Sequence, residues 1–99
     1  MIGFEIVIQV SSSKRQEFLQ AWSLLAKVPD DKAACIEQYL FENIHQPNIF
    51  LWLERWDDAE KMGEYLKSDR FRMVTGAVEV LGENSRLYRS TWQTESEGV

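Results

Sequence analysis

The chain has 99 residues, 44% of them apolar, and a net charge of −5 from 11 basic and 16 acidic side chains. That length holds one domain, and neither half carries the basic field that nucleic-acid binding needs. No stretch approaches the roughly 20 apolar residues of a membrane helix, and a lone Cys35 gives no internal disulfide, so a reducing, cytoplasmic setting is expected.

The opening run MIGFEIVIQV has no basic region before it and no small-residue cleavage site after it, so it reads as a strand and not a leader. In residues 3–10, Phe4, Ile6, Ile8 and Val10 point one way and Glu5, Val7 and Gln9 the other. Ser13 followed by Gln16 has the form of a capping box. The helix it opens is expected to run to about Val28, with Phe18, Ala21, Trp22, Leu25 and Val28 as its apolar stripe. Pro29, Asp30 and Asp31 stop it. Strands follow at 35–42 and 49–56, joined by a hairpin loop from Asn43 to Asn48 that contains Pro47. Ile49 to Leu53 is apolar on both faces, unlike a strand with one wet side. Helices can cover one face, and a second sheet is the natural cover for the other.

Asp57 and Glu60 form a second candidate capping box, before a short helix ending near Leu66. Ser68-Asp69 starts another, with Phe71, Val74, Val78 and Leu81 as its stripe and Gly82 as its C-cap. Gly76, inside that helix, is expected to permit close packing. The last strand spans 85–93, and residues 94–99 are expected to fray, leaving one domain over residues 1–93. The order β-α-β-β-α(α)-β is the split βαβ pattern of a ferredoxin-like α+β fold, an antiparallel four-stranded sheet with helices on one face.

Phe50-Leu51-Trp52-Leu53-Glu54-Arg55-Trp56, preceded by Pro47-Asn48 and followed by an acidic helix start, resembles the antibiotic biosynthesis monooxygenase family. So does Tyr65-Leu66-Lys67-Ser68-Asp69-Arg70-Phe71, which looks like that family's helix, turn and Phe-bearing second helix. The resemblance covers about residues 2–92. It implies a dimeric α+β barrel, in which two sheets pack face to face and each protomer keeps a pocket between sheet and helices. Members include cofactor-independent oxygenases of aromatic polyketides or quinols, haem-degrading enzymes and isomerases, and fold alone does not choose among them.

The candidate residues follow from that frame. His45, the only histidine, lies in the hairpin loop; many members place a histidine where this chain has Tyr65. The haem degraders carry Trp and a ligating His where Tyr65 and Thr75 stand, and an Asn in the first strand that this chain lacks. Thr75 is a poor iron ligand, so no haem and no other cofactor is expected. One His and one Cys give little for a metal centre. Glu54, Asp57 and Asp58 read as capping or solvated carboxylates, Cys35 as a buried small hydrophobe, and Arg70 and Arg72 as solvated.

That leaves Tyr65 and Asn48 as candidate catalytic hydrogen-bonding groups, with turn and packing roles open for both. Trp56, Tyr39, Trp52, Phe71 and Thr75 are candidate pocket residues, and Tyr39 and Trp52 equally fit an interface. The activity implied is oxidation of a small phenol or hydroquinone by dioxygen without a cofactor. A non-enzymatic ligand-binding module, an isomerase and a purely structural dimer are the alternatives. Expected partners are a second copy of the chain and a small aromatic ligand, with no nucleic acid and no membrane.

Overall fold

The computed structural model describes residues 1–26, 35–93 and 95. In chain order the elements are β1 (Ile2–Val10), a 3-10 turn (Ser12–Lys14), α1 (Arg15–Leu25), β2 (Cys35–Glu42), β3 (Ile49–Trp56), α2 (Ala59–Leu66), α3 (Asp69–Leu81) and β4 (Gly82–Thr91). The strands form one antiparallel sheet in the order β2-β3-β1-β4, a ferredoxin-like split βαβ arrangement. The expected helix end at Val28, the stop at Pro29–Asp31 and the fraying tail, apart from Glu95, lie outside the described residues.

Alternation along the strands sorts the sheet into two faces. Phe4, Ile6, Ile8 and Val10 of β1 join Phe50, Trp52 and Trp56 of β3 beneath the helices. Phe18 of α1, Met62 and Tyr65 of α2, and Phe71, Val74 and Val78 of α3 close that core from above. All three helices among the described residues therefore lie on one face. The other face carries Val7, Leu51, Leu53, Tyr39, Phe41 and Tyr88. Of these six, only Leu53, 7% exposed, is buried, and it is not part of the core under the helices.

Local chemistry departs from expectation at four points. Ser13 falls inside the 3-10 turn, with its hydroxyl 3.1 Å from that of Ser11, and α1 begins after Lys14 with no side-chain cap. The cap of α2 is Asp58, one residue later than expected, because Asp58 holds the extended backbone a cap requires and accepts the Lys61 N–H at 3.1 Å. Gly76 permits no close packing, since a Cβ there would meet nothing within 4 Å. Gly82 does cap α3, through its N–H to the Val78 carbonyl, and also starts β4 three residues early. Its backbone is extended and not left-handed; glycine is needed because a Cβ would lie 2.6 Å from the Val78 oxygen. Ser68 caps α3 as expected, accepting from the Phe71 N–H at 3.2 Å.

Candidate functional site

Among the described residues, three groups of side chains bear on a candidate site, and they occupy different parts of the sheet. The first surrounds Glu54. This carboxylate was expected in solvent, but on β3 it is in phase with Phe50, Trp52 and Trp56, and that places it on the helix-covered face, fully buried. The Trp52 indole N–H donates to Oε2 at 2.9 Å and the Trp56 indole N–H to Oε1 at 3.2 Å. Burial pushes the Glu54 carboxyl up from its ordinary range, against the pull of these donors. Cys35 is half-buried, its Sγ 3.9 Å from Oε1; burial and then the carboxylate's charge push its thiol up to about 12. It is a protonated, poorly nucleophilic thiol.

Tyr65 adjoins this group from α2. Its ring lies 5.1 Å from Trp56 and 5.5 Å, edge-on, from Phe71, and it is fully buried. Burial first, and Glu54 second, push the phenol up, so Tyr65 is a neutral donor and not a base. Arg70, expected in solvent, is half-buried and donates to the Leu25 and Leu24 carbonyls at 3.1 and 3.4 Å, closing the end of α1. Arg72 is exposed and pairs with Asp69 at 3.3 Å.

The second group is the hairpin end. Arg15 donates through both terminal guanidinium nitrogens to Glu42, and through Nη1 to Asn48 Oδ1 at 3.0 Å. The Asn48 N–H reaches Glu42 Oε2 at 2.8 Å. The Arg15 bonds, with help from that N–H, hold the Glu42 carboxyl down at about 2. Asn48 has a φ of 71°, the left-handed region that asparagine tolerates better than most residues. His45 is exposed in this loop. Asn48 and Trp56 stand at opposite ends of β3, roughly 25 Å apart at about 3.3 Å per residue. The two residues singled out as catalytic, Tyr65 and Asn48, are therefore not brought together, and no small ligand touches both.

The third group is a cleft of about 120 Å³ between α3 and β4 on the helix-covered side. Ile6, Phe71, Val78 and Leu87 form its walls, and Thr75, Glu79 and Ser85 are its polar groups. It exists because β4 is an edge strand that α3 only partly covers; Leu87 points to the helix side yet stays 48% exposed. A larger hollow of about 530 Å³ beside the hairpin is an open groove whose cation, Arg15, is committed to Glu42. Of the expected pocket residues, Phe71 and Thr75 line the cleft, and Trp52 and Trp56 are core residues behind it. Tyr39 is placed otherwise: paired with Leu53 and stacked on Phe41 at 5.4 Å, it faces the opposite side of the sheet. Glu54 and Glu79 were both missed. For Glu54 the strand alternation was the available signal; for Glu79 it was the four-residue spacing from Thr75 on a helix.

Among the described residues no group of three or more His, Cys, Asp or Glu side chains is gathered as metal ligands would be, and no helix is long and apolar enough to cross a membrane. None of the curated proteins matches the chain. Solved structures match it closely in shape. A protein from Deinococcus radiodurans, classed provisionally as an antibiotic biosynthesis monooxygenase, superposes with a TM-score of 0.86 at 17% identity, over 100% of this chain and 99% of that one. One from Caulobacter crescentus with the same provisional class gives 0.81 at 18% identity, over 94% and 90%. A conserved protein from Methanosarcina mazei gives 0.75 at 22%, over 91% and 92%. At these identities the likeness shows the fold. Residues 1–75 also match the profile of the family described as antibiotic biosynthesis monooxygenase, and the chain belongs to that family.

Proposed function

We propose that the protein oxidises a small, electron-rich phenol or hydroquinone with dioxygen, without a cofactor, in the cleft between α3 and β4. The observation that carries this reading is the cleft itself: an apolar slot with three polar side chains, in a member of a family named for monooxygenases. Its 120 Å³ is close to the roughly 150 Å³ of a dry cavity that takes benzene, so it suits one ring and is far too small for a haem. Phe71 and Val78 would hold the ring, Thr75 and Ser85 its hydroxyls. Tyr65 reaches the cleft through Phe71, and with Trp56 it would position that wall and not meet the substrate. Excluding water and orienting the ring is most of what such a reaction asks of a protein.

A second copy of the chain would lie against the bare face, a reading the family resemblance supports. Phe41, Tyr88 and Tyr39 are 49%, 46% and 40% exposed there, an apolar surface that face-to-face packing would dry. Light scattering should give about twice the 11.6 kDa chain mass, and Leu51→Asp should leave a folded monomer. A wild-type monomer at micromolar concentration would remove this part of the proposal.

Oxygen uptake tests the chemistry. Chelator-treated protein should consume oxygen with some hydroquinone or methoxyphenol well above the rate of autoxidation. One feature favours a second reading, a ligand-binding module: the sole histidine, His45, is exposed in the hairpin and remote from the cleft. Saturable binding of the same phenols with uptake no faster than autoxidation would decide for that module.

A further inference from the structure

Oxidation of a phenol needs a proton acceptor as well as an electron acceptor. A phenol gives its electron to dioxygen far more readily as its proton leaves. Tyr65 is itself a neutral phenol and cannot fill that role, and His45 is at the wrong end of the sheet. The cleft contains one titratable side chain. Glu79 lines it from α3, one turn beyond Thr75, and Ser85 and Leu87 of β4 line it from the opposite side. The Thr75 hydroxyl gives its hydrogen to the Arg72 carbonyl at 3.1 Å, which leaves its oxygen facing a ligand as an acceptor.

We propose that Glu79 accepts the hydroxyl proton of a neutral, single-ring phenol bound between α3 and β4, an assignment that rests on the reading of this cleft as the ligand site. A carboxylate accepts hydrogen bonds and does not donate them. At the cleft it selects an O–H and repels phenolates and carboxylated rings. The nearby cations do not reverse this. Arg89 lies one pleat beyond Leu87 on the same face of β4, and Lys14 is held by the Val80 carbonyl at 3.1 Å; neither lines the cleft.

The step balances with dioxygen as the only co-reactant. The phenolic O–H bond breaks, its proton passes to Glu79 and one electron passes to dioxygen. The aryloxyl radical and superoxide join through a new carbon–oxygen bond, and the peroxide takes the proton back from Glu79. The hydroperoxide carbon then loses its hydrogen as the O–O bond breaks, and water leaves behind a carbonyl. The sum is phenol plus dioxygen giving quinone plus water, with Glu79 restored.

4-Nitrophenol is the probe, because its spectrum separates phenol from phenolate. It is titrated into the full chain at pH values on both sides of its own ionisation. Wild-type protein should bind the neutral form saturably and the phenolate at least about tenfold more weakly, the scale of one like-charge contact. In Glu79→Gln the two forms should come within about twofold of each other. Glu79 is exposed, so this variant should fold as the wild type does, which circular dichroism checks. Leu87→Trp should fill the cleft and abolish binding. No wild-type binding, equal binding of both forms, a preference unchanged in Glu79→Gln, or binding that survives Leu87→Trp would each overturn the assignment. Oxygen uptake is followed in parallel with hydroquinone and 4-methoxyphenol, because electron-poor 4-nitrophenol reports binding and is not the oxidisable substrate. A Glu79-dependent preference without uptake refutes the oxygenase and keeps Glu79 as the phenol acceptor, whereas uptake unchanged in Glu79→Gln refutes Glu79 and spares the oxygenase.

Discussion

Glu42 and Glu54 lie on the same face of the β2–β3 ladder, four residues apart in register, yet their carboxyls are driven in opposite directions. Glu42 sits at a half-exposed hairpin, gripped by Arg15 and the Asn48 N–H, and is held down. Glu54 sits in a dry aromatic core, where neutral indoles are its donors, and burial pushes it up. The hairpin end is a charged clasp that fixes α1 to the β2–β3 turn. The other end is a hydrogen-bonded knot that orients two tryptophans, one of which packs on Tyr65. Residue type says nothing about which role a glutamate takes; the neighbours decide.

Breaking the knot should have the largest effect. Glu54→Ala strands two buried indole N–H groups, at about 1–3 kcal/mol each, and opens a cavity, so about 3–5 kcal/mol of unfolding free energy should be lost. Urea denaturation measures it, and a loss under about 1 kcal/mol would mean the knot does not organise this end. Glu54→Gln sharpens the comparison. A raised carboxyl binds more protons in the folded chain than in the unfolded one, so its contribution is fully present below the unfolded carboxylate pKa and fades as pH rises through the folded value. The Gln variant should lack that decline, and its stability relative to wild type should rise with pH.

The clasp has the opposite sign. Glu42 is depressed to about 2, so its contribution is present above the unfolded value of about 4.3 and lost as pH falls toward 2. Glu42→Gln should therefore flatten the acid side of the stability profile and lie closest to wild type near pH 2. High salt should shrink the difference at neutral pH, because both partners are partly in solvent. An acid limb that keeps its slope in the variant would show that the clasp is not what titrates.

How much of this was legible depended on whether a signal was periodic or local. The bounds of β2 and β3, the apolar stripe of α3 and the two-faced character of Ile49–Leu53 all follow from spacing, and the structure repeats them. The same alternation held Glu54 inside, but a charged residue type was read as solvated and the pattern was overridden. Caps were less legible because they depend on one residue's dihedrals: Asp57 and Asp58 are chemically alike, and it is Asp58 that is extended and accepts the Lys61 N–H. Asn48 and Tyr65 were each singled out by position in the family frame, and only the fold reveals that a strand's length separates them.

Tyr65→Phe tests the next smaller effect. It removes one hydroxyl from the knot end and should cost about 1–2 kcal/mol of stability. Turnover of a phenol should stay within about threefold, because the hydroxyl does not line the cleft and Phe71 intervenes. A hundredfold loss of kcat with unchanged stability would put Tyr65 in contact with substrate and move the active site to the knot.

The smallest effect belongs to Asn48, where strain and contact nearly cancel. Its φ of 71° disfavours any side chain, and glycine relieves that, but glycine also forfeits the Oδ1 acceptor of Arg15 and gives the unfolded chain more freedom. Neither replacement touches the backbone bonds, from the Asn48 N–H to Glu42 and from the Val10 N–H to the Asn48 carbonyl, both 2.8 Å. Asn48→Gly should therefore lie within about 0.5 kcal/mol of wild type. Asn48→Ala loses the same acceptor and keeps the steric conflict, so it should cost about 1 kcal/mol. The ordering is the test, measured by paired urea titrations at one pH. If alanine and glycine are equally tolerated, the left-handed backbone is not strained. If glycine is the worse of the two, chain freedom outweighs strain, and the clasp depends on a stiff turn to present Glu42 to Arg15.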